Sequence, residues 1–216
     1  LQATVKQMGL ADQLYGLYTD VLAKMEQYRV LHWNEVSLNI EEMLETINSF
    51  DARCRRMPKR LTEWEAYQIL RKQISDFQDM VPIIQELSKS SIMPRHWVEV
   101  RELTGTDFDV ESETFELREI LECTGMLENK EEIEELTDGA DKQLKIRKKL
   151  DEIREKYDQD MFSFVMWKSR PIPVLSVYAV VVEELEDNQL QLQGMLGMRH
   201  VTPFREEAQG KLTELS

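Results

Sequence analysis

Residues 36–58 read VSLNIEEMLETINSFDARCRRMP. Val36, Ile40, Met43, Leu44, Ile47, Phe50, Cys54 and Met57 recur at spacings of three and four, which sets them on one face of a helix. The stripe lasts about six turns at ~3.6 residues each. Pro58 closes it, because the proline ring disfavours the preceding helical turn. A long amphipathic helix is therefore the unit from which this chain is built.

The same period extends in both directions. Upstream, Leu14, Leu17, Tyr18, Val21, Leu22 and Met25 form one stripe. Downstream, Thr62 with Glu65 has the form of a capping box, and Trp64, Tyr67, Leu70, Ile74 and Phe77 supply the next buried face until Pro82 interrupts it. Ile83, Ile84 and Leu87 lead into a break at Ser90–Ser91. Pro94 suits a first helical position, Trp97, Val100 and Leu103 follow it, and Gly105 is placed as a left-handed cap. A loop over 106–112 precedes a turn or two with Phe115, Ile120 and Leu121. Asn129 with Glu132 marks a further start, Gly139 breaks that helix, and Leu144, Leu150, Ile153 and Tyr157 continue after it.

One segment departs from the helical period. Phe162, Phe164 and Met166 alternate with Met161, Ser163 and Val165, and Ser169–Arg170–Pro171 reads as a turn. Ile172 to Leu175 is then a returning strand confined to an edge by Pro173. The expected hairpin turns Phe162 and Phe164 onto a helical neighbour, with Ser163 facing away. Helix resumes over 176–198, and Thr202 with Pro203 starts the last one. The fold class expected is mainly all-α: elongated helical bundles with one short β-hairpin.

Composition agrees. The 216 residues include only 8 Gly and 6 Pro, too few turn formers for a many-stranded sandwich or barrel. Against 27 basic residues stand 41 acidic ones, a formal charge of −14 that repels nucleic-acid phosphates. Cys54 and Cys123 cannot make a disulfide framework, and the longest apolar run, Val177 to Val182, is far short of the ~20 residues that span a bilayer. A cytosol-like compartment is expected. The opening at Leu1 and the stop in mid-pattern at Ser216 read as a piece of a longer protein.

Chemistry is sparse. No Gly-rich phosphate loop of either common form occurs. His32, His96 and His200 lie far apart, without metal-ligand spacing, and adjacent pairs such as Glu131–Glu132 diverge by about 100° on a helix. Catalytic, cofactor and metal residues are accordingly expected to be none. Two charge features stand out. Arg53, Arg55, Arg56, Lys59 and Arg60 make a basic knot, and Glu111 through Glu135 carries ten acids. Each reads first as a solvated helix end and second as a docking patch for a protein of opposite charge. Arg95–His96–Trp97 reads more readily as a core anchor than as a recognition cluster.

The run Met57–Pro58–Lys59–Arg60–Leu61–Thr62–Glu63–Trp64 resembles a piece of dynein heavy chains just before the motor's linker. Pro94–Arg95–His96–Trp97, Leu103–Thr104–Gly105, Phe108–Asp109–Val110–Glu111–Ser112 and Phe115–Glu116–Leu117–Arg118 extend the likeness in order, closest to axonemal, outer-arm gamma-like chains. Leu185–Glu186–Asp187, Met198–Arg199 and Pro203–Phe204 are similar to later linker helices. Departures are Leu136–Thr137–Asp138–Gly139, where the family has unbroken helix, Tyr157 for a usual Trp, and Trp167–Lys168–Ser169–Arg170–Pro171 at the hairpin turn.

The resemblance implies a force-transmitting segment of an ATP-driven, minus-end-directed microtubule motor, without catalysis or cofactor of its own. Residues 1–92 would be a neck bundle and 93–216 the N-terminal part of the linker. Implied partners are the AAA+ ring of the same heavy chain, dynein intermediate and light chains, and neighbouring heavy chains. The microtubule would be reached only through the rest of the chain, and nucleic acid and membrane not at all. Ser90, Ser91, Pro94 and Gly105 are the candidate hinge; Trp64, Trp97, Phe115, Phe162 and Phe204 are the candidate anchors. A free-standing acidic scaffold that binds protein partners is the alternative, and a helical enzyme with a site built from distant carboxylates a third reading.

Overall fold

A computed structural model describes residues 2–159, 164–166, 168, 173–175 and 178–216. Nine α-helices and one two-stranded hairpin are present among them. The chain separates into two compact units, Leu1–Asp138 and Gly139–Ser216. This division follows packing.

The first unit is a helical bundle. Helix α1 (Gln2–Arg29) and α2 (Trp33–Arg55) are joined by a short turn, and a 3-10 turn at Lys59–Leu61 leads to α3 (Glu65–Leu87). Helix α4 (Pro94–Thr104), the short α5 (Leu117–Leu121) and α6 (Gly125–Glu128), and the start of α7 (Lys130–Gln159) complete it. The core is the predicted stripes laid together: Leu14, Leu17 and Val21 from α1, Val36, Met43, Ile47 and Cys54 from α2, and Tyr67, Leu70, Ile74 and Phe77 from α3.

Three local expectations give way. Helix α3 runs unbroken through Pro82, which is exposed, because Phe77, Met80, Val81, Ile83, Ile84 and Leu87 on both sides are all buried. Burying each such side chain is worth about 1.5–3 kcal/mol, which together outweighs the roughly 3 kcal/mol of an internal proline. The capping box at Thr62 does not form: Thr62 Oγ1 donates to Lys59 O at 2.6 Å, closing the 3-10 turn, and Trp64 stands before the first residue of α3. Helix α7 likewise runs through Gly139, as the unbroken helix of the resemblance implies, at a cost of about 1 kcal/mol for glycine.

The second unit holds the remainder of α7, strands β1 (Phe164–Met166) and β2 (Pro173–Leu175), α8 (Tyr178–Leu196) and α9 (Arg205–Glu214). Its core is Ile146, Leu150, Ile153, Leu192, Met195, Val201 and Ala208. The strands pair antiparallel, Phe164 opposite Leu175, Val165 opposite Val174 and Met166 opposite Pro173. The hairpin is as read, but its packing is not: Phe164 is 61% exposed. With two strands of three residues the pairing offers no face broad enough to bury a ring. Phe162, Ser163 and Trp167 lie outside the described residues. The last helix begins two residues after Pro203, since Arg199–Phe204 forms a 3-10 segment instead.

Candidate functional site

Backbone geometry gathers the first unit's informative residues at one place. The α1–α2 turn meets the loop before α5 through an isolated antiparallel bridge between His32 and Glu116. Trp33 N–H donates to Phe115 O at 3.0 Å and Leu117 N–H to Leu31 O at 2.9 Å. Over this clasp four rings close a cycle. Trp33 lies 5.5 Å edge-on from Trp97 and 5.9 Å from Phe115; Phe108 lies 5.9 Å from Trp97 and 6.2 Å from Phe115. Edge-to-face pairs at such separations add about 0.5–1.5 kcal/mol beyond area burial. Phe115 (2% exposed) and Trp97 (8%) are buried in the core. Trp33 and Phe108 join the same cluster without any signal in the helical period, because a clasp between residues eighty apart leaves none.

Both candidate breaks abut this cluster. Helix α3 ends at Leu87 and α4 begins at Pro94, with turn residues between them. Ser90 is exposed; Ser91 is 3% exposed, and its Oγ has no partner. The α4 start is capped by His96, whose Nδ1 accepts the Met93 N–H at 2.9 Å while its backbone N–H donates to Met93 O at 2.9 Å. His96 therefore takes the place usual for a glutamate, buried at 2% exposure beside the buried Trp97. At the other end Gly105 adopts φ 71° and donates to Arg101 O at 2.8 Å, a left-handed cap. Beyond it Ser112 N–H donates to Asp109 O and Phe115 N–H to Ser112 O. The loop is a chain of closed turns, not a slack tether. Leu87 and Trp97, on either side of Ser90–Pro94, belong to one core.

The other anchors are weaker. Trp64 is half-buried at the mouth of a groove of about 570 Å³ beside Tyr15, Tyr18 and Ile69. In the second unit, Phe204 is partly buried with the Arg147 guanidinium 6.0 Å over its ring. Arg147 grips Asp151 with two nitrogens at 2.6 and 2.9 Å and reaches Glu207 of α9 at 2.6 Å, while Arg154 joins Asp151 at 2.9 Å. The bonds to Asp151 hold the Arg147 charge more firmly than usual. This network ties α7 to α9, and no periodicity announces it.

The basic knot divides. Arg53 pairs with Asp20 and Arg55 with Asp51, each at 2.8 Å. Arg56, Lys59 and Arg60 are exposed without an acidic partner among the described residues. Elsewhere Lys24 bonds Glu42 at 2.7 Å, which raises the ammonium and lowers the carboxyl. Cys54 is a core residue whose thiol is pushed up by burial, with Tyr67 Oη donating to its carbonyl at 3.3 Å. Among the described residues no cluster of three metal-ligating side chains occurs, and no helix is long and apolar enough to cross a membrane.

Comparison with known proteins agrees with the sequence motifs. All of residues 1–216 match the family model described as dynein heavy chain, N-terminal region 2. Relatives include mouse (Mus musculus) dynein axonemal heavy chain 8, 34% identical over 100% of this chain and 4% of the relative. The dynein gamma chain of the flagellar outer arm of Chlamydomonas reinhardtii is 33% identical over 100% of this chain and 5% of its own length. A ciliary dynein beta chain of Tripneustes gratilla is 27% identical over the same shares. The chain therefore spans only about a twentieth of these relatives. A family model matched over the whole of this chain establishes that it belongs to the dynein heavy chain family, in its N-terminal region.

Proposed function

We propose that this chain is a force-transmitting neck and linker segment of an axonemal dynein heavy chain, located in the cilium or flagellum and without catalysis of its own. Residues 1–92 act as the end of the neck bundle and 93–216 as the N-terminal part of the linker. The ATPase modules, the microtubule-binding part and the contacts with intermediate and light chains belong to the rest of the protein. The relatives are named as axonemal, flagellar or ciliary heavy chains, which supports the location.

The observation that carries the mechanical reading is the clasp. A lever must keep its shape under load, and stiffness comes from helices whose ends are tied to each other by dense contacts. The Trp33–Trp97–Phe108–Phe115 cycle and the His32–Glu116 bridge tie α1, α2, α4 and the α5 loop into one body. The clasp also spans Ser90–Pro94, the candidate hinge, so bending there requires the Trp33–Trp97 and Trp33–Phe115 contacts to open.

The test is made on the whole heavy chain with Ser90→Ala, Ser91→Ala and Pro94→Ala combined, to favour continuous helix. Ser91→Ala removes a buried hydroxyl that has no partner, so it costs little by itself. Microtubule gliding should fall while ATPase turnover persists. Unchanged gliding removes the hinge; loss of both activities removes the non-catalytic reading.

A further inference from the structure

The corner between α2 and α3 combines two features that neither the helix packing nor the mechanical role uses. The first is charge. On a chain of net −14, Arg56, Lys59 and Arg60 project from the turn as exposed cations with no acidic partner among the described residues. Cations at the end of α2 complement its dipole, which accounts for Arg53 and Arg55 in the last turn. Lys59 and Arg60 stand past that end, so the dipole does not explain them.

The second feature is apolar. One turn further, where Trp64 N–H donates to Leu61 O, opens the groove of about 570 Å³ lined by Tyr15, Tyr18, Trp64, Glu65, Ala66 and Ile69. Tyr15 is 54% and Ile69 43% exposed, and Trp64 is only half-buried. The Arg53–Asp20 pair binds this end of α2 to α1, the helix that carries both tyrosines. Exposed aromatic surface beside arginine is the composition of energetically strong contact sites.

We propose that this corner docks an acidic segment of a partner protein, carrying carboxylates at one end and apolar side chains at the other. The carboxylates sit over Arg56, Lys59 and Arg60, and the apolar residues enter the groove. The polarity is set by Glu63 and Glu65, which flank Trp64 and disfavour carboxylates on the groove itself. A protein segment fits better than a nucleic acid or a membrane. At physiological salt the field of distant acids is screened beyond about 8 Å, so a short ligand responds to the local cations. An extended polyanion must also face the surrounding acidic surface.

A fluorescent peptide with a glutamate block followed by a leucine-rich block, titrated onto the 216-residue chain, tests this by anisotropy. The parent chain should bind it with an affinity that falls as salt rises. The variant Arg56→Glu, Lys59→Glu, Arg60→Glu should bind about tenfold more weakly or worse, a change of ~1.4 kcal/mol. Tyr15→Ser with Ile69→Ser should weaken it several-fold. All five side chains are exposed, so circular dichroism should show the fold retained. The proposal is overturned if the parent does not bind the peptide, or if either variant binds as the parent does. It is equally overturned if the parent prefers phosphatidylserine vesicles, an oligonucleotide, or the same peptide with lysine in place of glutamate.

Discussion

Replacing Phe115 by alanine should unfold the clasp more than any other single truncation in the loop. The ring is 2% exposed, lies 5.9 Å from Trp33 and 6.2 Å from Phe108, and belongs to the residue whose carbonyl accepts the Trp33 N–H. Phe→Ala in a core costs about 3–5 kcal/mol, and removing a ring with two edge-to-face neighbours places this site near ~4 kcal/mol. At about 2.1 cal/mol/K per residue, the residues of Leu1–Asp138 carry an unfolding entropy of about 0.29 kcal/mol/K, so the midpoint should fall by about 14 °C. Differential scanning calorimetry of Phe115→Ala beside Leu38→Ala, at a side chain 84% exposed, gives the comparison. Trp64→Ala should fall between them, because that ring is half-buried. A Phe115→Ala midpoint no lower than that of Leu38→Ala would refute the clasp as a source of stability.

Gly105→Ala forces a side chain into φ 71° and should cost about 1 kcal/mol, read by urea unfolding. Gly125→Ala should cost about 1–3 kcal/mol by the same measurement, since a Cβ there would come within 2.9 Å of Thr104 O. In the second unit Arg147→Met should destabilise by about 1 kcal/mol, and the difference should shrink at about 1 M salt, because the Asp151–Glu207 network is half-exposed. Lys24 holds the Glu42 carboxyl below its ordinary 4.5, so their pair is intact above that range and is lost as pH falls through the lowered value. Glu42→Gln should therefore lower the thermal midpoint near neutral pH, and the gap should close in acid.

Helices are legible in the sequence because burial has a period. The stripes Val36 to Cys54 and Tyr67 to Phe77 are the core as observed, and Gly105 and Pro94 cap α4 as their chemistry requires. Pro82 and Gly139 mislead for one reason: a local breaker acts with about 1–3 kcal/mol, while packing on both sides of it contributes more. At Gly139 a Cβ would stand 3.5 Å from His200 Nδ1, an ordinary contact, so no close approach requires the glycine there. The clasp cannot be read from spacing at all. Trp33, Trp97, Phe108 and Phe115 meet only after the chain has folded, and His96 caps with an imidazole where a carboxylate is the usual signal. The motif Phe108–Ser112 stands out in the sequence only by its likeness to a family, and the structure supplies its physical reason: closed turns hold Phe108 and Phe115 in place.

The claim that this segment carries force without taking part in chemistry is tested most directly by adding compliance at Ser90–Pro94. A Gly-Ser insert of about ten residues between Ser90 and Ser91 of the whole heavy chain would make the α3–α4 connection flexible, leaving the clasp alone to hold α4 to α2. Gliding velocity and microtubule-stimulated ATPase are then read on the same preparation. The account predicts that turnover persists while gliding slows severely. Gliding at the parent's speed, or turnover lost in proportion to gliding, would contradict it.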